Sequence, residues 1–346
     1  MIRPSARFLS TAALFALALP LLQASAQTQV PAAPTRAPAE TQIPAAPTQV
    51  PPAPAPATAA PVFPKPSPEN FTATAPTLEV VNAFLQATWG FDDNRMWQVE
   101  GILKTAVDGV AKVVVYVGDK TGKEKPNALV FFALADGKHM IVADQTGLEM
   151  ISFGEHPFAD ARAQLQERAD GPYRGVASKD FELVEFADFQ CPHCKEAQAN
   201  MDKLVTDFPK ARIVFQNDPI ASIHPQALNA AAYGVCVDKM AGSTAFFQFA
   251  SAVFDGQDGL STPDGATLTL NSAATKAGLD PAKVAECAAT PATKAEVVAS
   301  VKLGAELGVN EVPTLLVNGR AVPANIPYDL LKKIILFQAK LDGVNQ

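Results

Sequence analysis

Four cysteines carry the reactive chemistry of this 346-residue chain, and two of them stand two residues apart in Cys191-Pro192-His193-Cys194. The run Phe181 to Phe189 reads as a buried strand leading straight into this tetrapeptide. Behind it Ala197, Met201, Leu204, Val205 and Phe208 recur at helical spacing until Pro209 stops the helix. Such a junction puts the first sulfur at a helix N-terminus, where unpaired N–H groups and the helix dipole favour a thiolate over the ordinary thiol pKa of ~8.5. Pro192 suits the first helical turn, because its missing N–H has no intrahelical partner there. Cys194, one turn inside, is more shielded and close enough to attack a mixed disulfide on Cys191. His193, when charged, stabilises the thiolate and so makes the disulfide form a stronger oxidant. A Cys-x-x-Cys pair also serves as an inert disulfide or as half of a zinc site. Zinc normally needs four ligands, however, and the remaining sulfurs, Cys236 and Cys287, fall in predicted helices without a second such pair. The expected chemistry is thiol–disulfide exchange, with no metal and no cofactor beyond the redox-active Cys191–Cys194 disulfide.

The elements that must hold this site begin near Arg174. Arg212 to Phe215 gives a second strand, and residues 224–307 are alanine-rich and helical, with a Gly/Asp/Ser/Thr/Pro loop expected from Gly256 to Gly265. Thr314 to Val317, the turn pair Asn318-Gly319 and Ala321-Val322 read as a β-hairpin, followed by a terminal helix through Leu330, Leu331, Ile334, Ile335 and Leu341. Residues 76–170 form a separate unit: a helix through Leu78, Val81, Phe84 and Leu85, then strands at Met96 to Leu103, Lys112 to Val117, Ala128 to Ala133 and His139 to Val142. That is an antiparallel α+β meander, closed by a charged helix from Phe158 to Ala169. His139 and His156 stand alone in it, with no catalytic constellation around them.

Glu185-Phe186-Ala187-Asp188-Phe189-Gln190-Cys191-Pro192-His193-Cys194, together with Val312-Pro313-Thr314 downstream, resembles the thioredoxin-fold disulfide oxidoreductases of the bacterial periplasm, specifically their DsbA-like branch. The resemblance covers about Arg174 to Asp342. It implies an α/β fold, a thioredoxin fold with a helical insertion, preceded here by the small α+β antiparallel domain. It puts the attacking thiol on Cys191, the resolving thiol on Cys194 and a substrate-bordering cis-proline on Pro313, with Val312 and Thr314 beside it in peptide binding. Glu185, six residues before Cys191, falls where the fold keeps a buried acid, and burial of a carboxyl favours the protonated form that can exchange a proton with Cys194. A partly exposed strand glutamate is the alternative. Pro192-His193 and Val312 match the oxidase branch. Cys236 and Cys287, 51 positions apart within the helical stretch, suit a structural disulfide worth ~4 kcal/mol on the chain-entropy model, with two free buried thiols as the other possibility. A weaker likeness in domain order, a small meander before a thioredoxin domain, points to the DsbC and DsbG type of dimeric isomerase.

Arg3 and Arg7, the apolar run Phe8 to Leu22 and Ala24-Ser25-Ala26 have the layout of a secretory signal peptide covering residues 1–26. Export to a periplasmic or extracellular space, where disulfides persist, is therefore expected. Residues 27–75 read as a Pro/Ala-rich linker: 13 of the chain's 29 prolines lie between Gln27 and Pro68, so this stretch cannot bury a core and suits a semi-stiff spacer. The formal charge of −7 leaves no basic surplus for phosphates, which excludes nucleic acid as a general partner. The partners expected are secreted or periplasmic client proteins, a membrane or soluble redox partner, and a second copy of the chain through residues 76–170. A dimeric isomerase or reductase, or a peptide-binding chaperone, is the alternative to an oxidase.

Overall fold

The computed structural model describes residues 63–122, 125–143 and 148–345. The expected signal peptide, residues 1–26, and most of the expected proline-rich linker lie outside the described residues. The first element is helix α1 (Leu78–Trp89), whose N-cap Thr77 accepts a bond from the Val80 amide. Its apolar stripe, Val81, Phe84 and Leu85, packs on an antiparallel sheet ordered β1-β2-β3-β4-β5: β1 (Arg95–Lys104), β2 (Ala111–Asp119), β3 (Asn127–Ala133), β4 (His139–Ala143) and β5 (Leu148–Ser152). Alternation decides which face is covered. Val113, Val115, Val117, Phe131 and Ala133 point under the helix, while Val130 and Phe132 point outward. The fifth strand is additional to the four expected from the sequence. Its Leu148 and Met150 are exposed, and it is held by backbone pairing with β4 and by Ile151, which packs against the core beneath α1.

Helix α2 (Ala159–Arg168) leads into a second sheet ordered β10-β9-β7-β8-β6. The added edge strand β6 (Tyr173–Gly175) precedes β7 (Glu182–Ala187), α3 (Pro192–Asp207) and β8 (Arg212–Asn217). β7 and β8 are parallel and buried along their whole lengths, as a βαβ unit covered on both faces requires. The insertion follows as α4 (Ala227–Asp255), kinked at Gly242 where φ is +76°, then α5 (Pro263–Lys276), α6 (Pro281–Ala289) and α7 (Pro291–Glu306). The Gly256 to Gly265 stretch is more ordered than expected: a 3-10 turn spans Gln257–Ser261, and α5 starts at Pro263 behind the N-cap Thr262. β9 (Thr314–Val317), β10 (Arg320–Pro323) and α8 (Tyr328–Leu341) complete the fold. α3 and α8 cover one face of the sheet through Met201, Leu204, Ile334 and Ile335. On the other face Leu165 of α2 and Leu303 of α7 pack against Val184, Phe186 and Val214.

Arg320, 4% exposed, ties the two sheets together. Its guanidinium donates to the carbonyls of Ala87 and Thr88 in the last turn of α1 and to Gln338 Oε1. It also lies 4.2 Å from the centre of the Phe158 ring. A cation at a helix C-terminus meets the negative end of the dipole.

Candidate active site

Cys191 is the N-cap of α3, with extended backbone (φ −76°, ψ 122°), and Pro192 occupies the first turn. The turn is drawn tight by main-chain bonds: the Cys191 amide donates to the Asp188 carbonyl at 3.1 Å, and the Cys194 amide donates to the Cys191 carbonyl at 3.1 Å. Both cysteines are free thiols within the fold, Cys194 wholly enclosed and Cys191 with a small exposed area. The Cys191 thiol is pushed down to about 6, chiefly by the bond from the Cys194 thiol and then by the amides of Cys194 and His193, against the opposing effects of burial and the Asp188 charge. Burial, followed by the neighbouring Cys191, pushes the Cys194 thiol far up. One sulfur is thus built to ionise and the other to stay protonated.

His193 meets both Glu196 and the cap sulfur. Its imidazole is 64% exposed and turned to Glu196, with Nδ1 2.9 Å from Oε2, and this acid raises its pKa. His193 acts on Cys191 through its backbone N–H, which the helix N-terminus points at the cap sulfur, and the Cys191 charge in turn adds to the rise in the His193 pKa.

Across the cleft the Val312–Pro313 bond is cis, and the Val312 carbonyl accepts from Cys191 Sγ at 3.8 Å. Thr314, beginning β9, turns its hydroxyl to the Glu311 carbonyl at 2.7 Å. A second cis bond, Ala75–Pro76, lies in the first unit and was not expected. Beneath the pair, Glu185 on β7 is 3% exposed, which removes the alternative of an exposed strand glutamate. Its Oε1 accepts from Gln198 Nε2 at 2.9 Å, and the same nitrogen donates to the Cys194 carbonyl at 3.1 Å. Burial pushes Glu185 up to about 7, partly offset by Arg174 and Gln198. A carboxyl poised near neutrality, whose charge in turn opposes ionisation of Cys194, fits proton exchange with that thiol.

Cys236 and Cys287 are joined as a disulfide between α4 and α6. Those two sulfurs are therefore not available to complete a zinc site with Cys191 and Cys194.

Several groups of the site gave no signal of their own in the sequence. Gln257 Nε2 donates to the carbonyls of Phe189 and Cys191, each at 2.9 Å, from the stretch expected to be a loop. Gln190 reaches the Leu260 carbonyl and the Gln226 amide. Asp188 and His224 pair at 2.8 Å. Each joins residues at least 36 positions apart, a relation that periodicity cannot carry.

The sequence profile of the thioredoxin family matches residues 168–336. Among curated proteins, a Na(+)/H(+) antiporter NhaA 3 of Salinispora tropica is 29% identical over 147 residues, which is 42% of this chain and 21% of that protein. The chain thus spans about a fifth of that relative's length. Among the described residues, no helix is long and apolar enough to cross a membrane. Among solved structures, the catalytic domain of Proteus mirabilis ScsC is 19% identical with a TM-score of 0.44, covering 53% of this chain and 99% of that one. A thioredoxin-like oxidoreductase from Silicibacter pomeroyi is 26% identical with a TM-score of 0.44, covering 52% and 98%. BdbD from Bacillus subtilis is 21% identical with a TM-score of 0.42, covering 50% and 94%. Residues 168–336, which hold the Cys-Pro-His-Cys turn and the cis-proline facing it, are thus similar to the thioredoxin family.

Proposed function

We propose that the protein is an exported thiol:disulfide oxidoreductase that donates the Cys191–Cys194 disulfide to secreted client proteins. The observation that carries this reading is the asymmetry of the pair: a cap sulfur pushed down to about 6, and an enclosed partner pushed up. A client thiolate attacks Cys191 Sγ, the Cys191–Cys194 bond breaks, and Cys194 leaves with the electron pair, taking a proton from the Glu185 carboxyl. A second client thiolate then attacks the client sulfur of the mixed disulfide and expels Cys191 as a thiolate, a good leaving group because its pKa is low. The client dithiol has lost two electrons to the pair, and a membrane or soluble disulfide partner must reoxidise it. Val312 and Pro313 border the cleft in which the client backbone lies, and Thr314 opens the strand behind them. Residues 1–26 direct the chain to the compartment where this chemistry is needed.

The test is stoichiometric oxidation of a reduced two-cysteine peptide by the oxidised mature protein. One disulfide should form per protein, with none from Cys191→Ser; peptide oxidation that survives that change refutes the reading.

A second reading, a homodimeric isomerase or reductase assembled through residues 76–170, is favoured by an outward apolar row on the first sheet. Phe132, Ile141 and Met150 are register neighbours across β3, β4 and β5, and Phe132 and Met150 are exposed. Light scattering at micromolar concentration tests it: a monomer removes this reading and leaves an oxidase with an accessory domain.

A further inference from the structure

We infer that Asp188 is a positioning residue of the redox pair: its buried carboxylate, gripped by His224, ties the thiol turn to the loop that enters the helical insertion and sets the field in which Cys191 ionises. The inference rests on thiol–disulfide exchange at Cys191 and Cys194.

Asp188 holds the backbone of one cysteine and the sulfur of the other through its own backbone. Its carbonyl accepts from the Cys191 amide at 3.1 Å, and its amide donates to Cys194 Sγ at 3.4 Å. Its side chain, 1% exposed, faces the other way. Oδ1 accepts from the Gln190 amide at 2.7 Å, while Oδ2 accepts from the Ile220 amide at 2.8 Å and pairs with His224 Nδ1 at 2.8 Å. A carboxylate out of water needs such donors. Two of the three belong to the loop after β8, so the geometry of the thiol turn is fixed from the insertion side as well as by the sheet.

The charged and titratable groups around Asp188 come from three elements. Cys191 and Cys194 lie on α3, Glu185 lies on β7, and Asp218 and His224 lie on the loop after β8. Asp218 is pushed up to about 6, first by its own burial and then by the Asp188 charge. The negative field of Asp188 opposes the Cys191 thiolate, and an imidazole N–H bonded to Oδ2 draws on the same charge. Removing Asp188 and removing His224 are therefore expected to move Cys191 in opposite directions, which a purely structural tie would not do.

The experiment uses the reduced full chain and four variants: Asp188→Asn, His224→Ala, the double variant, and His224→Asn, whose side-chain amide can stand in for the Nδ1 donor. Two quantities are read: the pH midpoint of Cys191 alkylation, and the equilibrium of one Cys191–Cys194 disulfide plus two glutathiones against the dithiol plus glutathione disulfide. Asp188→Asn should lower the midpoint by about half a unit, roughly a threefold gain in thiolate ratio, and shift the equilibrium toward the dithiol. His224→Ala should move both the opposite way, His224→Asn should restore them, and the histidine effect should vanish in the double variant. Variants that lose thermal stability but keep the wild-type midpoint overturn the inference, as do single effects that add independently. If the wild type fails to equilibrate with glutathione, the exchange reading itself fails. The alkylation midpoints need no redox cycling and decide the role of Asp188 in that case too.

Discussion

Glu185→Gln tests whether the acid beneath the thiols is paid for in stability. In the fold Glu185 holds its proton up to about 7, against an ordinary value of 4.5. Because the folded-state pKa is raised, the contribution of the protonated carboxyl is intact below about 4.5, is lost as pH climbs toward 7, and is absent above. The full shift is about 2.5 units, or roughly 3 kcal/mol at the conversion of about 1.4 kcal/mol per unit. Glutamine keeps an acceptor for Gln198 and never ionises, so it reports the neutral state at every pH. Relative to wild type, the variant should gain about 2 kcal/mol of stability between pH 5 and pH 8. Cys191 titrates in the same window but is common to both proteins, so it cancels to first order. Urea denaturation under reducing conditions, followed by far-ultraviolet circular dichroism, is the suitable assay. Trp89 and Trp97 both lie in the first unit and do not report on this domain, whereas the helices α3 to α8 do. A stability difference that stays flat from pH 5 to pH 8 would falsify the assignment of Glu185 as a buried acid with a raised pKa.

Cys191 in the reduced protein should alkylate with a midpoint near 6, leaving about nine-tenths thiolate at pH 7 where an ordinary thiol gives only a few per cent; a midpoint at 8.5 to 9 contradicts the cap geometry. The depressed value also favours the folded reduced form above pH ~9, an effect lost as pH falls to about 6, so Cys191→Ala should flatten that part of the pH–stability curve. Joint replacement of Cys236 and Cys287 by alanine should cost about 4 kcal/mol, since their link closes 51 residues; mild glutathione should open the Cys191–Cys194 link first, and peptide mapping checks the order. Arg320→Met should cost about 2 to 3 kcal/mol, because the carbonyls of Ala87 and Thr88 and the Gln338 amide lose a charged donor. It should also separate the tryptophan transition from the circular-dichroism transition, and coincident, unshifted transitions would argue that Arg320 does not couple the sheets.

What was legible in the sequence is what repeats or sits close together. Apolar runs bounded by Gly-containing turns marked β1 and β2, the stop at Pro209 marked the end of the helix behind the thiols, and Cys-x-x-Cys placed the chemistry four residues wide. The motif with Val312-Pro313-Thr314 carried further, because a family resemblance supplies a partner that spacing does not. Legibility stopped where a residue's role depends on what a distant segment brings to it. Phe181 to Phe189 reads as an apolar run interrupted by Glu185 and Asp188, and nothing in that run says that Arg174 and Gln198 face the first acid or that His224 and the Ile220 amide face the second. The same limit explains His193. Its position next to the cap sulfur suggested that its charge acts there, but not that Glu196, a neighbour three positions along the helix, has the larger hold on that charge. Local order in the sequence thus pointed to the candidate reacting atoms, while the surroundings of those atoms are composed from β6, the loop after β8 and the 3-10 turn bearing Gln257. Two proteins with the same Cys-Pro-His-Cys turn and different residues at those positions should therefore share a nucleophile and differ in reduction potential.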